Sequence, residues 1–337
     1  MIIESIAPTR VDLAGGTIDI WPLYLFHQGA TTVNFAISLY ARCRIEERVD
    51  ERVILESLDR NVQFETHLSE IENLVHDRRL ELISKLVHFF KPERGFRLIA
   101  SAESPAGAGL GGSSALAIAV IGALNRFVGN RFDEHKFITI AANLETTVIR
   151  VPAGFQDYLA AFHGGANCFH FRAEGIKREK LDVDADELER RIRICYTGEP
   201  RLSGTNNWEI MKKHIDGDTV LFELFEGIRD SSRRMRAALA ANDWREVGET
   251  MRAAHPGRKR LAPNVTTPHM DKLIEKALSN GAEAAKVCGA GGGGCIAFLC
   301  AEGQAERVEE ALIAEEGVEM LDWKFAPEGL QVRELQS

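Results

Sequence analysis

The chain has 337 residues, of which 45% are apolar and 27% charged. This profile excludes a disulfide-stapled miniature or a disordered segment and predicts a real core, with length for two domains at roughly 150 residues each. Lys plus Arg number 41 against 50 Asp plus Glu, a net charge of −9, and that balance opposes nucleic acid or an anionic membrane as partner.

The first half alternates apolar and polar residues in the manner of an antiparallel sheet, through IIESIAPTRVDL, TTVNFAISLYARCRIEERV, RVILESL and NVQFETHL. A helix is predicted from Arg78 to Lys91, then the strand GFRLIASAES, then a turn opened by Pro105 and rich in glycine, AGAGLGGSS, leading into the helix ALAIAVIGALNRFV. DEHKFITIAANLETTVI reads as a helix stopped before Pro152, and PAGFQDYLAAFHGG as a short helix between glycines. The polar stretch from Lys177 to Asp186 marks the expected domain boundary, dividing the chain into residues 1–187 and 188–337. Beyond it come the helices VLFELFEGIRDSSRRMRAALAAND and TPHMDKLIEKALSNG. The strand AAKVC, a glycine turn, the strand CIAFLC, the helix GQAERVEEALIAEE and a last strand complete a two-layer α+β unit.

No apolar run approaches the roughly 18 residues that a membrane helix needs, and MIIESIAPTRVDLAGG lacks the basic, apolar and cleavage regions of a secretory signal. A cytoplasmic location is expected. The cysteines, Cys43, Cys168, Cys195, Cys288, Cys295 and Cys300, lie in or beside strand-like runs without a CxxC pair, which predicts buried reduced thiols.

Two glycine clusters carry the chemistry. Glycine is used where φ must be positive or where a ligand or another backbone approaches closely. Gly107, Gly109, Gly111 and Gly112 precede Ser113 and Ser114 at a helix start, where unpaired N–H groups suit a phosphate. No Lys follows, so this is not a Walker loop. The GxGxxG spacing of Gly107, Gly109 and Gly112 lacks the acidic residue about 20 positions on that a dinucleotide fold requires. The second cluster, Gly289 to Gly294, leads into a strand where a dinucleotide fold would have a helix.

Taken in order, APTRVDLAGGTIDIWPLY, SPAGAGLGGSSALA and KVCGAGGGGCIAF resemble three segments of the GHMP kinases, the superfamily named for galactokinase, homoserine kinase, mevalonate kinase and phosphomevalonate kinase. The resemblance spans nearly the whole chain. Within the superfamily it is strongest to the kinases of D-glycero-D-manno-heptose 7-phosphate and next to fucokinase-type sugar kinases. It implies an α+β two-domain fold, with an N-terminal ATP-binding domain like ribosomal protein S5 domain 2 and a ferredoxin-like C-terminal domain. The activity it implies is ATP- and Mg2+-dependent phosphorylation of a hydroxyl, the anomeric one first among candidates, on a sugar or sugar phosphate.

Residue by residue, the family pattern implies that Pro105, Gly107, Gly109, Leu110, Gly111, Gly112, Ser113 and Ser114 bind ATP. Ser113, with Ser114 as the alternative, and Glu145 would hold Mg2+. Asp157 and Arg10 would be catalytic, the aspartate orienting or receiving the hydroxyl proton and the arginine facing it and the γ-phosphate. Asp19, Gly16, Gly291 and Gly292 would meet the acceptor. Departures bear on the substrate. GGTID replaces the GEHTD of galactokinases, and AGGTID with Phe155 departs from the AGGGTD and Lys common in heptose kinases. A phosphate on the acceptor would need basic partners, for which His255, Arg258, Lys259 and Arg260 are candidates, and Asn206 and Asn207 could meet sugar hydroxyls. The alternatives are an isoprenoid kinase of mevalonate type, a non-catalytic sugar or ATP sensor on this fold and, more remotely, a nicotinamide-dependent oxidoreductase.

Overall fold

Strands β1 (Ile2–Ala14) and β2 (Thr31–Glu47) form an antiparallel pair that runs from Ile2 opposite Glu46 to Ala14 opposite Val33. The first half of β1 alternates between buried and half-buried residues, whereas its second half is buried on both faces. That second half contains Arg10 and Asp12, so two charges enter the interior on one strand. Register shifts lie between Pro8 and Thr9 and between Asp12 and Ala14, and such bulges re-aim the side chains beside them.

The hairpin of β3 (Arg52–Ser57) and β4 (Val62–His67) follows, then α1 (Glu81–Phe90) and β5 (Phe96–Ala102). Although β5 pairs antiparallel with β2, it lies parallel to β3. The antiparallel alternation expected for the segments of β1 to β4 is met in the β1–β2 and β3–β4 pairs, and β5 lies parallel to β3 because the chain returns to it by a crossover through α1 rather than by a hairpin. Next come α2 (Gly112–Phe127), α3 (Phe137–Ile149), α4 (Gln156–His163), β6 (Ala166–Arg172) and β7 (Gly175–Leu181). Helix α2 is buried along almost its whole length, and its alanines let the sheet and neighbouring helices approach it closely. The polar stretch from Lys177 begins as an edge strand, since β7 pairs with β6 alone.

Helix α5 (Ala185–Arg191) leads into the second sheet, whose strands are β8 (Ile192–Tyr196), β9 (Ala282–Val287), β10 (Cys295–Cys300) and β11 (Glu319–Met320) in the antiparallel order β11-β8-β10-β9. The helices of this half are α6 (Asn207–Ile215), α7 (Thr219–Ala240), α8 (Trp244–Leu261), α9 (Pro268–Ser279) and α10 (Ala305–Ile313), of which α6 and the start of α7 pack with Ile18, Phe169 and Phe171 of the first half. The last strand, β12 (Gln331–Leu335), returns to the first sheet and pairs with β1, giving the path β12-β1-β2-β5-β3-β4 with β6 and β7 joined at β2. A division at 187/188 would fall inside α5, and the end of the second segment lies in the first sheet.

One core cluster is shared by both sheets, with Val11, Val33 and Phe35 from the first packed with Ile194, Leu299 and Met251 from the second half. This computed structural model describes residues 1–73, 78–200, 207–261 and 265–335. Among them no helix is long and apolar enough to cross a membrane, and all six cysteines are buried with no disulfide between them.

Candidate active site

A cleft of about 350 Å³ opens beside the β5–α2 turn. Gly107, Gly109 and Gly111 all have positive φ, which bends the chain back under the start of α2. At this end Ala115 N–H donates to Gly111 O at 2.9 Å, and Gly111 supplies no side-chain cap. The N–H groups of Gly112, Ser113 and Ser114 therefore face the cleft end of α2 without an i−4 acceptor, the arrangement that attracts an anion.

This turn is anchored from two sides. On one, Arg10 N–H donates to Leu110 O at 2.9 Å and Arg10 Nη1 to Gly109 O at 2.6 Å. On the other, Cys295 N–H donates to Ala108 O at 2.8 Å, and a Cβ on Gly294 would sit 2.6 Å from the same oxygen. The second glycine cluster thus lies directly on the first. Gly289 and Ala290 line the cleft, whereas Gly291 and Gly292 pack against Val265 instead, where Gly292 N–H donates to its carbonyl at 3.0 Å and Gly291 leaves no room for a side chain. Leu110 is fully buried and meets the site through its carbonyl. Pro105, Gly107, Gly109, Gly111, Gly112, Ser113 and Ser114 all line the cleft.

Asp157 sits in the first turn of α4, which packs across this opening. Arg10, 2% exposed, donates Nε and Nη2 to its Oδ1 at 2.8 and 2.6 Å. Burial opposes the Arg10 charge, but Asp157 and Asp12 outweigh it and hold the guanidinium protonated, with its pKa raised. A Cβ on Gly111 would lie 3.3 Å from the Asp157 carboxyl carbon, so this acid stands against the last glycine of the phosphate-type turn.

Asp19, 1% exposed, accepts the Gln156 N–H at 2.9 Å and the Thr17 N–H at 3.1 Å. It caps α4 from a distant segment of chain and fixes the helix start that carries Asp157. Gly154 presses on its carboxylate with no space for a Cβ. Burial, reinforced by Asp157 and Asp12, pushes its pKa up to about 7, although the backbone N–H groups of Gln156 and of Asp19 itself pull the other way. Gly16 also lines the cleft, and its carbonyl accepts from Arg258 Nη1.

Glu145, on α3, is buried beneath Ser113 and Ser114. Ser114 Oγ donates to it at 3.0 Å, and Ser113 and Tyr158 hydrogen-bond it as well. Burial raises its pKa, and those hydroxyls only partly offset the effect. A buried carboxylate ringed by hydroxyls and lacking a basic partner among the described residues fits the oxygen ligation of a hard divalent cation, which keeps several waters and takes one or two protein carboxylates.

One pair escaped the sequence reading. Lys286 Nζ donates to Asp12 Oδ2 at 2.9 Å, joining β9 of the second sheet to β1 of the first beneath the cleft. Burial works against the Asp12 charge, but Lys286, Arg258 and Arg10 hold its pKa below the ordinary carboxylate value. The signal was a lone charge in each of two apolar strands, VDLA and AAKV. Of the basic run, Arg258 lines the cleft while Lys259 pairs outward with Asp271 at 2.7 Å. Asn207 lines it too, its Nδ2 donating to Pro152 O at 2.7 Å, and Asn206 lies outside the described residues.

Two domain descriptions match the chain, GHMP kinases N terminal domain over residues 79–165 and GHMP kinases C terminal over residues 235–319. The chain is 28% identical over 338 residues to the D-glycero-alpha-D-manno-heptose 7-phosphate kinase of Campylobacter jejuni, covering 98% of both chains. It is 26% identical over 356 residues to a mevalonate kinase of Thermococcus sibiricus, covering 99% of both. The crystal structure of a D-glycero-D-manno-heptose 1-phosphate kinase from Bacteroides thetaiotaomicron shares its fold, with a TM-score of 0.77 at 23% identity over 99% of this chain and 100% of that one.

Proposed function

This chain belongs to the GHMP kinases, and we propose that it transfers the γ-phosphoryl group of ATP to a hydroxyl of a sugar or sugar phosphate. The anomeric hydroxyl of a heptose 7-phosphate is the first candidate acceptor. The family uses ATP as donor. In this reading the triphosphate lies along the Gly107–Gly112 turn and accepts hydrogen bonds from the first amides of α2. A helix terminus alone stabilises charge by about 0.3 to 1 kcal/mol, up to about 2 in protected geometry, whereas enzymes lower barriers by about 8 to 23 kcal/mol. Further groups must act together.

The observation that carries the reading is the position of Asp157 between Arg10 and Gly111. An acceptor hydroxyl hydrogen-bonded to Asp157 points its oxygen toward a phosphate on the turn. As the new P–O bond forms, the bond from phosphorus to the β–γ bridging oxygen breaks, ADP leaves and the hydroxyl proton passes to Asp157. The transition state is loose, so the proton can move late and alignment outweighs basicity. Arg10 keeps the carboxylate in place and adds positive charge beside the transferring group. Glu145 and the Ser113 hydroxyl, with Ser114 as the alternative, are the residues that would hold Mg2+, which when bound neutralises the β- and γ-phosphate charge. Asp19 accepts acceptor hydroxyls and holds α4.

Six buried thiols suit a reducing compartment, and we place the reaction in the cytoplasm. The test is ATP consumption against a panel of free sugars, sugar 6- and 7-phosphates and mevalonate. Turnover with mevalonate and none with any sugar would replace this reading by the mevalonate one, which the full-length likeness to the Thermococcus sibiricus enzyme keeps in view.

A further inference from the structure

Basic side chains converge where the end of α8 meets the second glycine loop. His255 is held below its ordinary pKa by burial first, then by Lys259, Arg258 and Lys286, with Asp271 opposing, which places these groups within electrostatic reach of one another. Two of the cations are already neutralised, Lys286 by Asp12 at 2.9 Å and Lys259 by Asp271 at 2.7 Å. Arg258 differs. Its Nη2 donates to Gly289 O and its Nη1 to Gly16 O at 3.5 Å, and its Nε is buried with no hydrogen-bond partner. No carboxylate lies within ion-pairing distance of it among the described residues, and the acid whose pKa it helps depress, Asp12, is bonded to Lys286.

A charged group held by two neutral carbonyls in a cleft wall is under-compensated, since desolvation of a cation is offset by an anion far better than by peptide dipoles. The carbonyls belong to the loop after β1 and to the second glycine loop, so they fix the guanidinium across the wall that also holds Thr17 and Asp19. The planar fork of arginine matches a phosphate in two parallel hydrogen bonds. A dianion there would face Arg258 and would draw His255 toward its protonated form.

We propose that Arg258 recognises a phosphate group carried by the acceptor, so that the enzyme selects phosphorylated over free sugars. This rests on the sugar-kinase reading above. Arg258 is then a specificity residue, and its loss acts on acceptor KM ahead of kcat.

The experiment measures kcat/KM by ATP consumption for D-glycero-D-manno-heptose 7-phosphate and mannose 6-phosphate against the corresponding free sugars, in wild type, Arg258→Gln and Arg258→Lys. Wild type is expected to prefer the phosphorylated acceptors. Arg258→Gln should lower kcat/KM for them by about 10- to 100-fold, the range of a lost charged hydrogen bond, mainly through KM and by much more than for free sugars. Arg258→Lys, which keeps charge without the fork, should fall between and serves as the test should the glutamine variant not fold. Equal losses on phosphorylated and free acceptors would mark a purely structural role and overturn the inference. A wild type that uses free sugars as readily as phosphorylated ones would overturn it while leaving the kinase reading intact, whereas one that uses no sugar at all would overturn both.

Discussion

Arg10 spends two of its nitrogens, Nε and Nη2, on a single oxygen of Asp157, at 2.8 and 2.6 Å. The other carboxylate oxygen faces the Gly111 turn, 3.4 Å from where a Cβ on that glycine would sit. Asp157 is thus held from one side and presented on the other. Asp157→Ala is expected to lower kcat by about 100- to 10,000-fold, the range for a positioned acid–base group, while ATP binding persists because the α2 amides are untouched. Steady-state rates with a parallel ATP-binding titration check both halves, and turnover within a few-fold of wild type would remove the role.

The two serines at the start of α2 are not equivalent. Ser113 is exposed at the cleft, whereas Ser114 is buried with its hydroxyl on Glu145. Ser113→Ala and Glu145→Gln should both raise the Mg2+ concentration needed for half-maximal activity, with little change in melting temperature for the serine variant. Ser114→Ala should cost about 1 kcal/mol of stability or more, because its loss removes a buried hydrogen bond to a carboxylate. Magnesium titrations and thermal melts of the three variants separate the assignments; an unshifted titration for both Ser113→Ala and Glu145→Gln would exclude them as ligands.

The strands and the α2 turn were legible because each sits in a local pattern, alternation for β1 to β4 and glycine density for the turn, whereas Asp157, Asp19 and Glu145 stand out only through the family resemblance. Long-range pairing was not. Nothing local to β3 and β5 sets their parallel register, and GIKREKL reads as a linker because an edge strand such as β7 needs few apolar residues. Helix α8 was hidden by Pro256 and Gly257, which mark a break in a sequence but lie inside this helix, where tertiary packing overrides propensity. The outward placement of Gly291 and Gly292 depends on Val265, and only the folded backbone brings that carbonyl to them. The Asp12–Lys286 pair joins residues 274 positions apart.

Asp19 links stability to pH. Its pKa is pushed from the ordinary 3.8 up to about 7, so between those values the folded chain retains a proton that the unfolded chain has lost. The stabilising contribution is complete below the unfolded value and disappears as pH rises through about 7, an effect of roughly 4 kcal/mol for a wholly buried group. Stability should therefore decline from about pH 4 to about pH 7, and Asp19→Asn should flatten that slope. Denaturant melts of both proteins across this range measure it, and parallel slopes would show that Asp19 does not titrate there.

The Asp12–Lys286 pair makes the last prediction, because it ties the two sheets together underneath Arg10. Lys286 comes from β9 and Asp12 from β1, and both side chains are almost fully buried. Removing one partner leaves the other charge buried and uncompensated, which typically costs about 3 to 5 kcal/mol, whereas removing both costs much less. Lys286→Met should destabilise the chain by that amount and, by freeing a negative charge beside Arg10, should disturb the Arg10–Asp157 contact and lower kcat. Adding Asp12→Asn should recover most of the lost stability. A double-mutant cycle in denaturant melts is the measurement. Additive losses would mean that the two charges are not coupled, and that the sheets are held together here by the apolar core around Val11 and Met251 alone.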